Sequence, residues 1–326
     1  MTRRVLVCGG AGYIGSHMAK WLAAHGVEPV VLDNLSTGHR EAVRFGPLVE
    51  ADLLDPASLD AAFAAGPFEA VMHFCARSLV GESVQQPLAY YQNNVAGTLN
   101  LLQAMQRHGV DRIVFSSTAA VFGEPVAATI DEDHPKTPIN PYGASKLMVE
   151  RMLADAAQAY GLRSVTLRYF NAAGASADGD IGEAHTPETH LIPNVLRAAL
   201  GDGSRLKVFG DDWPTPDGTC VRDYIHVDDL AQAHWLALDH MAAHGGAHAF
   251  NLGNGRGFSV REVIAAAEAA SGRTVAFDIA PRRAGDPAVL VAASDRAREV
   301  LGWAPRHADL AEIIDSAWRW HCRPAF

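Results

Sequence analysis

The chain has 326 residues, 48% of them hydrophobic, enough to bury a large core as one big domain or two intimate ones. Thirty-seven acidic against 27 basic residues give a formal charge of −10, which disfavours nonspecific nucleic-acid binding. No apolar run approaches the roughly 20 residues of a membrane span, and no cationic leader with an apolar stretch is visible, so a cytoplasmic protein without membrane attachment is expected.

Arg4 to Cys8 reads as a buried strand, followed by a glycine-rich turn and a helical pattern (Ile14, Met18, Trp21, Leu22) that stops at Gly26. Val30 to Asp33 is a second strand. Ala70 to Phe74, a long helical segment after Pro87, the strand Arg112 to Ser116, a helix from Pro141 to about Tyr160, and the strand Ser164 to Arg168 continue the alternation. Strands separated by helix-length segments imply right-handed crossovers and an α/β, doubly wound parallel sheet of the Rossmann type, with ligands outside the carboxyl ends of the strands.

After Asn171 the texture changes, and glycine, proline and polar residues dominate 172–190 and 210–223. The expected division is a dinucleotide-binding part over 1–171 and a smaller, interleaved substrate-binding lobe over 172–326. Tyr224–Val227 and Ala249–Leu252 are strand-like enough that segments around 224–252 are expected to return to the first sheet. Cys8, Cys75, Cys220 and Cys322 are scattered without a CxxC pair, so neither disulfides nor zinc are expected.

Gly9, Gly12 and Gly15 follow the first strand where a helix opens, the place for bare amides to face a pyrophosphate. Alone, such a triplet is also an ordinary tight turn. Asp33 ends the second strand, where a carboxylate accepts both hydroxyls of an adenosine ribose and repels a 2′-phosphate, favouring NAD over NADP. The bland alternative is a turn-forming Asp before Asn34. Asp52 and Leu53, after the next apolar run, are candidates to flank the adenine.

Tyr142 and Lys146 are four apart on a helix that Asn140 caps and Pro141 opens, so they share one face. An ammonium beside the phenol is expected to lower its pKa and make Tyr142 a base; Lys146 also suits a nicotinamide ribose. By itself the pair occurs by chance on amphipathic helices. Ser116, Ser117 and Thr118 supply hydroxyls at a strand end, where Thr118 is placed to hydrogen-bond a reacting oxygen. Glycine turn, Asp33, these hydroxyls and Tyr142/Lys146, in that order, resemble the extended short-chain dehydrogenase/reductase family.

Longer strings narrow the resemblance to the UDP-glucose (UDP-galactose) 4-epimerases. They are Gly9 to His17, including Tyr13 and Ile14; Asp33 to Leu35; Val80 to Val84; Asn93 to Val95; Leu167 to Asn171; Asp217 to Thr219; Val221 to Val227; Asn251 to Gly253; and Arg282 to Asp286. The resemblance spans nearly the whole chain. It implies NAD held by Gly9, Gly12, Tyr13, Ile14, Gly15, Asp33, Asn34, Asp52, Leu53, Phe74, Ala76, Asn94, Ser116, Tyr142, Lys146 and Tyr169. It implies a UDP-sugar held by Thr118, Tyr142, Asn171, Leu191, Arg222, Tyr224, Arg283 and Asp286, the arginines on the diphosphate and Asp286 on the uridine ribose. Outside these motifs Arg222 and Arg283 would read as surface ion pairs with Asp223 or Asp286.

The implied chemistry is removal of the sugar O4 proton by Tyr142 as C4 gives hydride to NAD, a 4-keto sugar that turns on its diphosphate tether, and return of hydride to the other face. Thr118 stands where family members often carry serine, and Ser78 where some carry a lysine near the nicotinamide. Leu290 falls near a pocket-wall position that decides whether an N-acetyl group fits, leaving UDP-N-acetylhexosamines open, with UDP-pentoses and UDP-uronates. A nucleotide-sugar 4,6-dehydratase would carry Asp-Glu directly after the catalytic Thr; Ala119 and Ala120 stand there. A non-catalytic NAD-sensing protein would be expected to lose Tyr142 or Lys146. His240, His244 and His248 invite a metal reading, but Gly245-Gly246 is expected to break the helix that would align them, so no metal is expected. The resemblance also implies a homodimer through the helix after Pro87 and the one bearing Tyr142.

Overall fold

The computed structural model describes residues 3–203, 205–283 and 286–326. Its first half alternates strand and helix as the apolar periodicity dictates. Strand β1 (Arg4–Cys8), helix α1 (Tyr13–Ala24) and β2 (Glu28–Asp33) are followed by the short β3 (Leu48–Glu50). Helix α2 (Pro56–Ala64) starts at an Asp55 side chain that accepts from the Ala57 amide, with Pro56 in the first turn where its missing N–H costs nothing. β4 (Ala70–His73) then leads to α3 (Val80–Gln85), α4 (Pro87–Tyr90) and, through a π-helical turn over Tyr91–Ala96, to α5 (Gly97–Arg107).

β5 (Arg112–Thr118) and α6 (Pro141–Tyr160) follow. Asn140 caps α6 by accepting from the Gly143 amide, and Gly161 ends it at φ 75°, a conformation that favours glycine. β6 (Arg163–Tyr169) and β7 (Asn171–Ala173) precede α7 (Leu191–Leu200) and β8 (Leu206–Phe209). Next come β9 (Val221–His226), α8 (Val227–Ala243), β10 (Ala247–Leu252), β11 (Gly257–Ser259) and α9 (Val260–Ser271), which opens on a Ser259/Glu262 capping box. β12 (Phe277–Ala280), β13 (Val289–Leu290), α10 (Asp295–Leu301) and α11 (Leu310–Cys322) complete the order.

Seven strands form one parallel sheet in the order β3-β2-β1-β4-β5-β6-β10. The chain winds outward from β1 to β3, returns to β4 on the other side, and so creates a crevice between β1 and β4 at the carboxyl edge. This is a Rossmann-type α/β fold. One face is covered by α1, α8 and α10, with Val5, Val7, Met18, Leu22, Leu230, Leu238 and Trp303 fully buried. The other is covered by α2, α5 and α6, through Leu59, Leu101, Met105, Val149 and Leu153. Each such aliphatic side chain contributes about 1.5–3 kcal/mol, an upper estimate for an extended unfolded reference.

The later residues build a second core of α7, α9 and α11 around a four-stranded sheet, β11-β9-β13 with β7 on β9, and a two-stranded β12-β8 ribbon. Of the segments expected to return to the first sheet, Ala249–Leu252 lies in β10, paired with β6. Tyr224–His226 instead lies in β9 of the second sheet, and only from Val227, where α8 begins, does the chain cover the first sheet again. The reason is in β9 itself: its Arg222 and Asp223 need the partners that β11, β13 and the 254–255 turn provide.

Candidate functional site

The glycine turn, the end of β2, the end of β5 and the first turns of α6 all open at the carboxyl edge of the seven-stranded sheet. Gly9 has φ 82°, and a Cβ there would stand 2.7 Å from the Cys75 amide nitrogen. A Cβ on Gly15 would lie 2.1 Å from the Gly9 carbonyl oxygen, so both positions need glycine for the protein's own packing. Gly12 differs: a Cβ there would meet only the Gly9 carbonyl, at 3.4 Å. Among the described residues nothing excludes a side chain at this helix N-terminus, so the glycine suits the close approach of something from outside, as a pyrophosphate on NAD would require.

Asp33 is buried; its Oδ2 accepts from the Ala11 amide at 3.0 Å and its Oδ1 from the Leu35 amide at 2.8 Å. Burial pushes its pKa up while these two amides pull it down. The carboxylate therefore holds the glycine turn against the end of β2, the place for a ribose diol. Asn34 donates to Asp52 Oδ2 at 2.9 Å, and Leu53 is buried where Gly97 lets α5 approach. Phe74 packs on the His234 ring at 4.9 Å. Asn94 is buried and bonds both backbone groups of Arg77 and the Ser145 hydroxyl, tying the segment after Ala76 to α6.

Lys146 is buried and donates from Nζ to the Ser116 carbonyl at 2.8 Å, over the Phe115 ring. Burial lowers its pKa to about 8. Burial likewise raises the Tyr142 phenol above its ordinary value, opposed by a hydrogen bond with the Thr118 side chain. The expectation that Lys146 lowers Tyr142 is not met within the protein alone: the ammonium is turned to a backbone carbonyl, and desolvation dominates the phenol. Thr118 Oγ1 also accepts from the Ala120 amide, which starts a 3-10 turn over Ala119–Val121.

On the second sheet, Asn171 donates to the Asp223 carbonyl at 2.9 Å. Arg222 spends Nη1 on the carbonyls of Val221 and Pro287 and turns Nη2 to Asp286 at 3.8 Å. The Arg283 guanidinium lies 3.7 Å from the Phe209 ring centroid. Ala284 and Gly285, inside the Arg282 to Asp286 string, lie outside the described residues. Tyr224 is buried, Leu191 starts α7, and Leu290 packs with Phe122, Ile130, Leu147 and Phe170 next to the Thr118 turn.

Two features, His234 and Asp223, escaped the sequence reading. His234 on α8 accepts at Nε2 from the Ser116 hydroxyl at 3.1 Å because its Nδ1 must donate to the Leu230 carbonyl at 2.8 Å. Asp223, fully buried, accepts the amides of Asn254, Gly255 and Ala292, and burial raises its pKa to about 6. Gly245-Gly246 follows the helix end, yet the chain turns straight back into β10, so the rings of His240, His244 and His248 are brought together, 4.1 Å and 4.8 Å from His240. Neither His234 nor Asp223 has a local sequence signal, since each joins distant segments.

The model of the NAD dependent epimerase/dehydratase family matches residues 5–253. A UDP-glucose 4-epimerase of Halalkalibacterium halodurans is 52% identical, over 97% of this chain and 95% of its own. A UDP-glucose 4-epimerase structure from Brucella ovis in complex with NAD superposes with a TM-score of 0.95 at 52% identity, covering 97% of each chain. A UDP-glucose 4-epimerase structure from Stenotrophomonas maltophila, with bound NAD and formylated UDP-arabinopyranose, gives 0.94 at 41% identity, covering 99% of this chain and 98% of that one.

Proposed function

The chain belongs to the NAD dependent epimerase/dehydratase family, and from that premise we propose that it inverts C4 of a UDP-hexose, interconverting UDP-glucose and UDP-galactose. NAD, held there, would supply a reversible hydride acceptor for C4, so that no redox equivalent would be consumed. Tyr142 takes the O4 proton and later returns it, a role that requires the Lys146 ammonium to offset the burial that raises the phenol once the site is filled, while the Thr118 hydroxyl orients O4. Lys146 and Asp33 hold the two riboses of the cofactor, with Gly12 at its pyrophosphate. Residues 1–171 form the NAD-binding part and 172–326 mainly the UDP-sugar lobe, where Asn171, Leu191, Arg222, Tyr224, Arg283 and Asp286 anchor UDP and leave the hexose free to turn.

The observation that carries this reading is what meets at one carboxyl edge: Thr118 at the end of β5, Lys146 bonded to the Ser116 carbonyl of the same strand, and a helix N-terminus at Gly12 where the protein's own packing leaves room for a Cβ. Elimination is disfavoured because the turn after Thr118 is Ala119-Ala120 and brings no carboxylate to the sugar. A second reading is a 4-epimerase of another UDP-sugar, with Leu290, packed beside that turn, as the residue that would set acceptance of an N-acetyl group. The test is conversion of UDP-galactose by purified protein, without and with added NAD, alongside UDP-N-acetylgalactosamine and UDP-arabinopyranose. Failure on every UDP-sugar with NAD present overturns the reading.

The assembly that fits is a homodimer. Val84, Leu88, Leu99 and Met148 stand exposed on α3, α4, α5 and α6, Leu88 at 79% and Val84 at 64%, a grouping of apolar surface that a second copy would cover. Light scattering reads it directly: a concentration-independent monomer removes the dimer. No helix of the described residues is long and apolar enough to cross a membrane, and the four cysteines are free, which supports a cytoplasmic location.

A further inference from the structure

Beyond the sugar chemistry, the loop that leads into α7 gathers Glu183, His185, Glu188 and His190, whose candidate ligand atoms all lie within 4.8 Å of one another. His190 Nδ1 stands 3.0 Å from Glu183 Oε1 and 2.8 Å from Glu188 Oε1. His185 Nδ1 stands 3.3 Å from Glu183 Oε1 and 3.5 Å from Glu188 Oε2. Zinc–ligand bonds of about 2.0–2.1 Å in a tetrahedron put neighbouring ligand atoms about 3.3 Å apart, and the four contacts bracket that spacing.

Two observations separate this group from an ordinary surface ion pair. Both carboxylates are out of water, with side-chain exposures of 6% and 1%. The buried Nδ1 of His185, although 3.3 and 3.5 Å from two carboxylate oxygens, makes a hydrogen bond to neither and is left without a partner among the described residues. The surrounding contacts hold the ligands in place: Trp320 donates to the Glu183 carbonyl, a His39 ring nitrogen bonds the Ala184 carbonyl, Tyr13 meets the His185 ring edge-on, and the amides of Thr189 and His190 donate to Glu188 Oε1.

We propose that Glu183, His185, Glu188 and His190 form a binding site for one divalent transition-metal ion, with Zn2+ the best match to two imidazoles and two carboxylates. The ion fastens residues 183–190 between Tyr13 of the glycine turn and Leu191 at the start of α7, acting as a structural clamp rather than a reagent. Its charge balances the two buried carboxylates, a task that falls to the facing imidazoles when they carry protons.

The test uses the full-length protein, stripped with chelator and checked for native circular dichroism, then titrated with ZnCl2 by calorimetry and with Co2+ by visible absorption. The expected result is saturable binding of one ion per chain, a tetrahedral Co2+ spectrum, and a raised melting temperature with Zn2+. His185→Asn, at a half-buried ring, should weaken Zn2+ binding at least about tenfold, as loss of even supporting groups does. His248→Asn, which disrupts the separate histidine group at the end of α8, should leave it unchanged. Absence of saturable binding, binding that survives His185→Asn, or binding lost in His248→Asn but not in His185→Asn overturns the site.

Discussion

His234 on α8 and Ser116 on β5, 118 residues apart, meet through a 3.1 Å hydrogen bond buried from water. Because the other face of Ser116 presents its carbonyl to Lys146, this single residue joins the second half of the chain to the proposed catalytic lysine. His234→Leu should leave the Ser116 hydroxyl without its acceptor and cost about 1–3 kcal/mol of stability. Urea unfolding measures that cost; a smaller loss in Ser116→Ala than in His234→Leu would show that the orphaned group is the cause.

Tyr142→Phe keeps the ring in its place and removes the proton acceptor. Epimerisation should fall by about 10²–10⁴-fold or more while NAD is still bound. Thr118→Val should also be severely impaired and Thr118→Ser should retain activity, because only the hydroxyl is required. Rates on UDP-galactose together with cofactor content by absorbance check all three.

Gly12→Ala and Gly15→Ala should separate folding from cofactor binding. A methyl at position 15 collides with the Gly9 carbonyl at 2.1 Å, so that variant should be poorly folded; at position 12 it meets nothing closer than 3.4 Å. Gly12→Ala should therefore melt near the parent temperature and lose NAD. A Gly12→Ala protein that retains NAD at parental affinity would contradict the assignment of that turn to the pyrophosphate.

Four fully or largely buried histidines give the fold an acid limit. Burial lowers His17 and His234 to about 4, and His73 and His226 to about 3. In each case the unfolded chain binds the proton more readily than the folded one, so this contribution to stability is complete above the ordinary histidine value of about 6.5 and is lost as pH falls toward 3–4. Melting temperatures should decline progressively below about pH 6.5. A flat profile from pH 7 to 4 would exclude these groups as the cause.

Much of the fold was legible because its signals are local. Period-two and period-3.6 apolar runs, Asn140-Pro141 before α6 and glycines after strands act within a few residues, and they located β1, α1, β2, β4, β5, α6 and β6. The short Leu48–Glu50 strand and α2 carried too few periodic positions to stand out. Tyr142 and Lys146 share a face by helical spacing alone.

Sequence therefore determined the alternating framework, the residue types at its carboxyl edge and the resemblance to the epimerases. Tertiary structure decided what those residues do to one another. Tyr142 is governed by burial and Thr118 rather than by the lysine one turn away, since the Lys146 ammonium is drawn to a carbonyl of β5. Asp223 is surrounded by amides from residues 254–292, His240 meets His248 across a glycine turn, and His185 meets Glu183 and Glu188 in a loop without periodicity. Desolvation and hydrogen bonding depend on which distant segments close over a group, and that information exists only once the chain has packed.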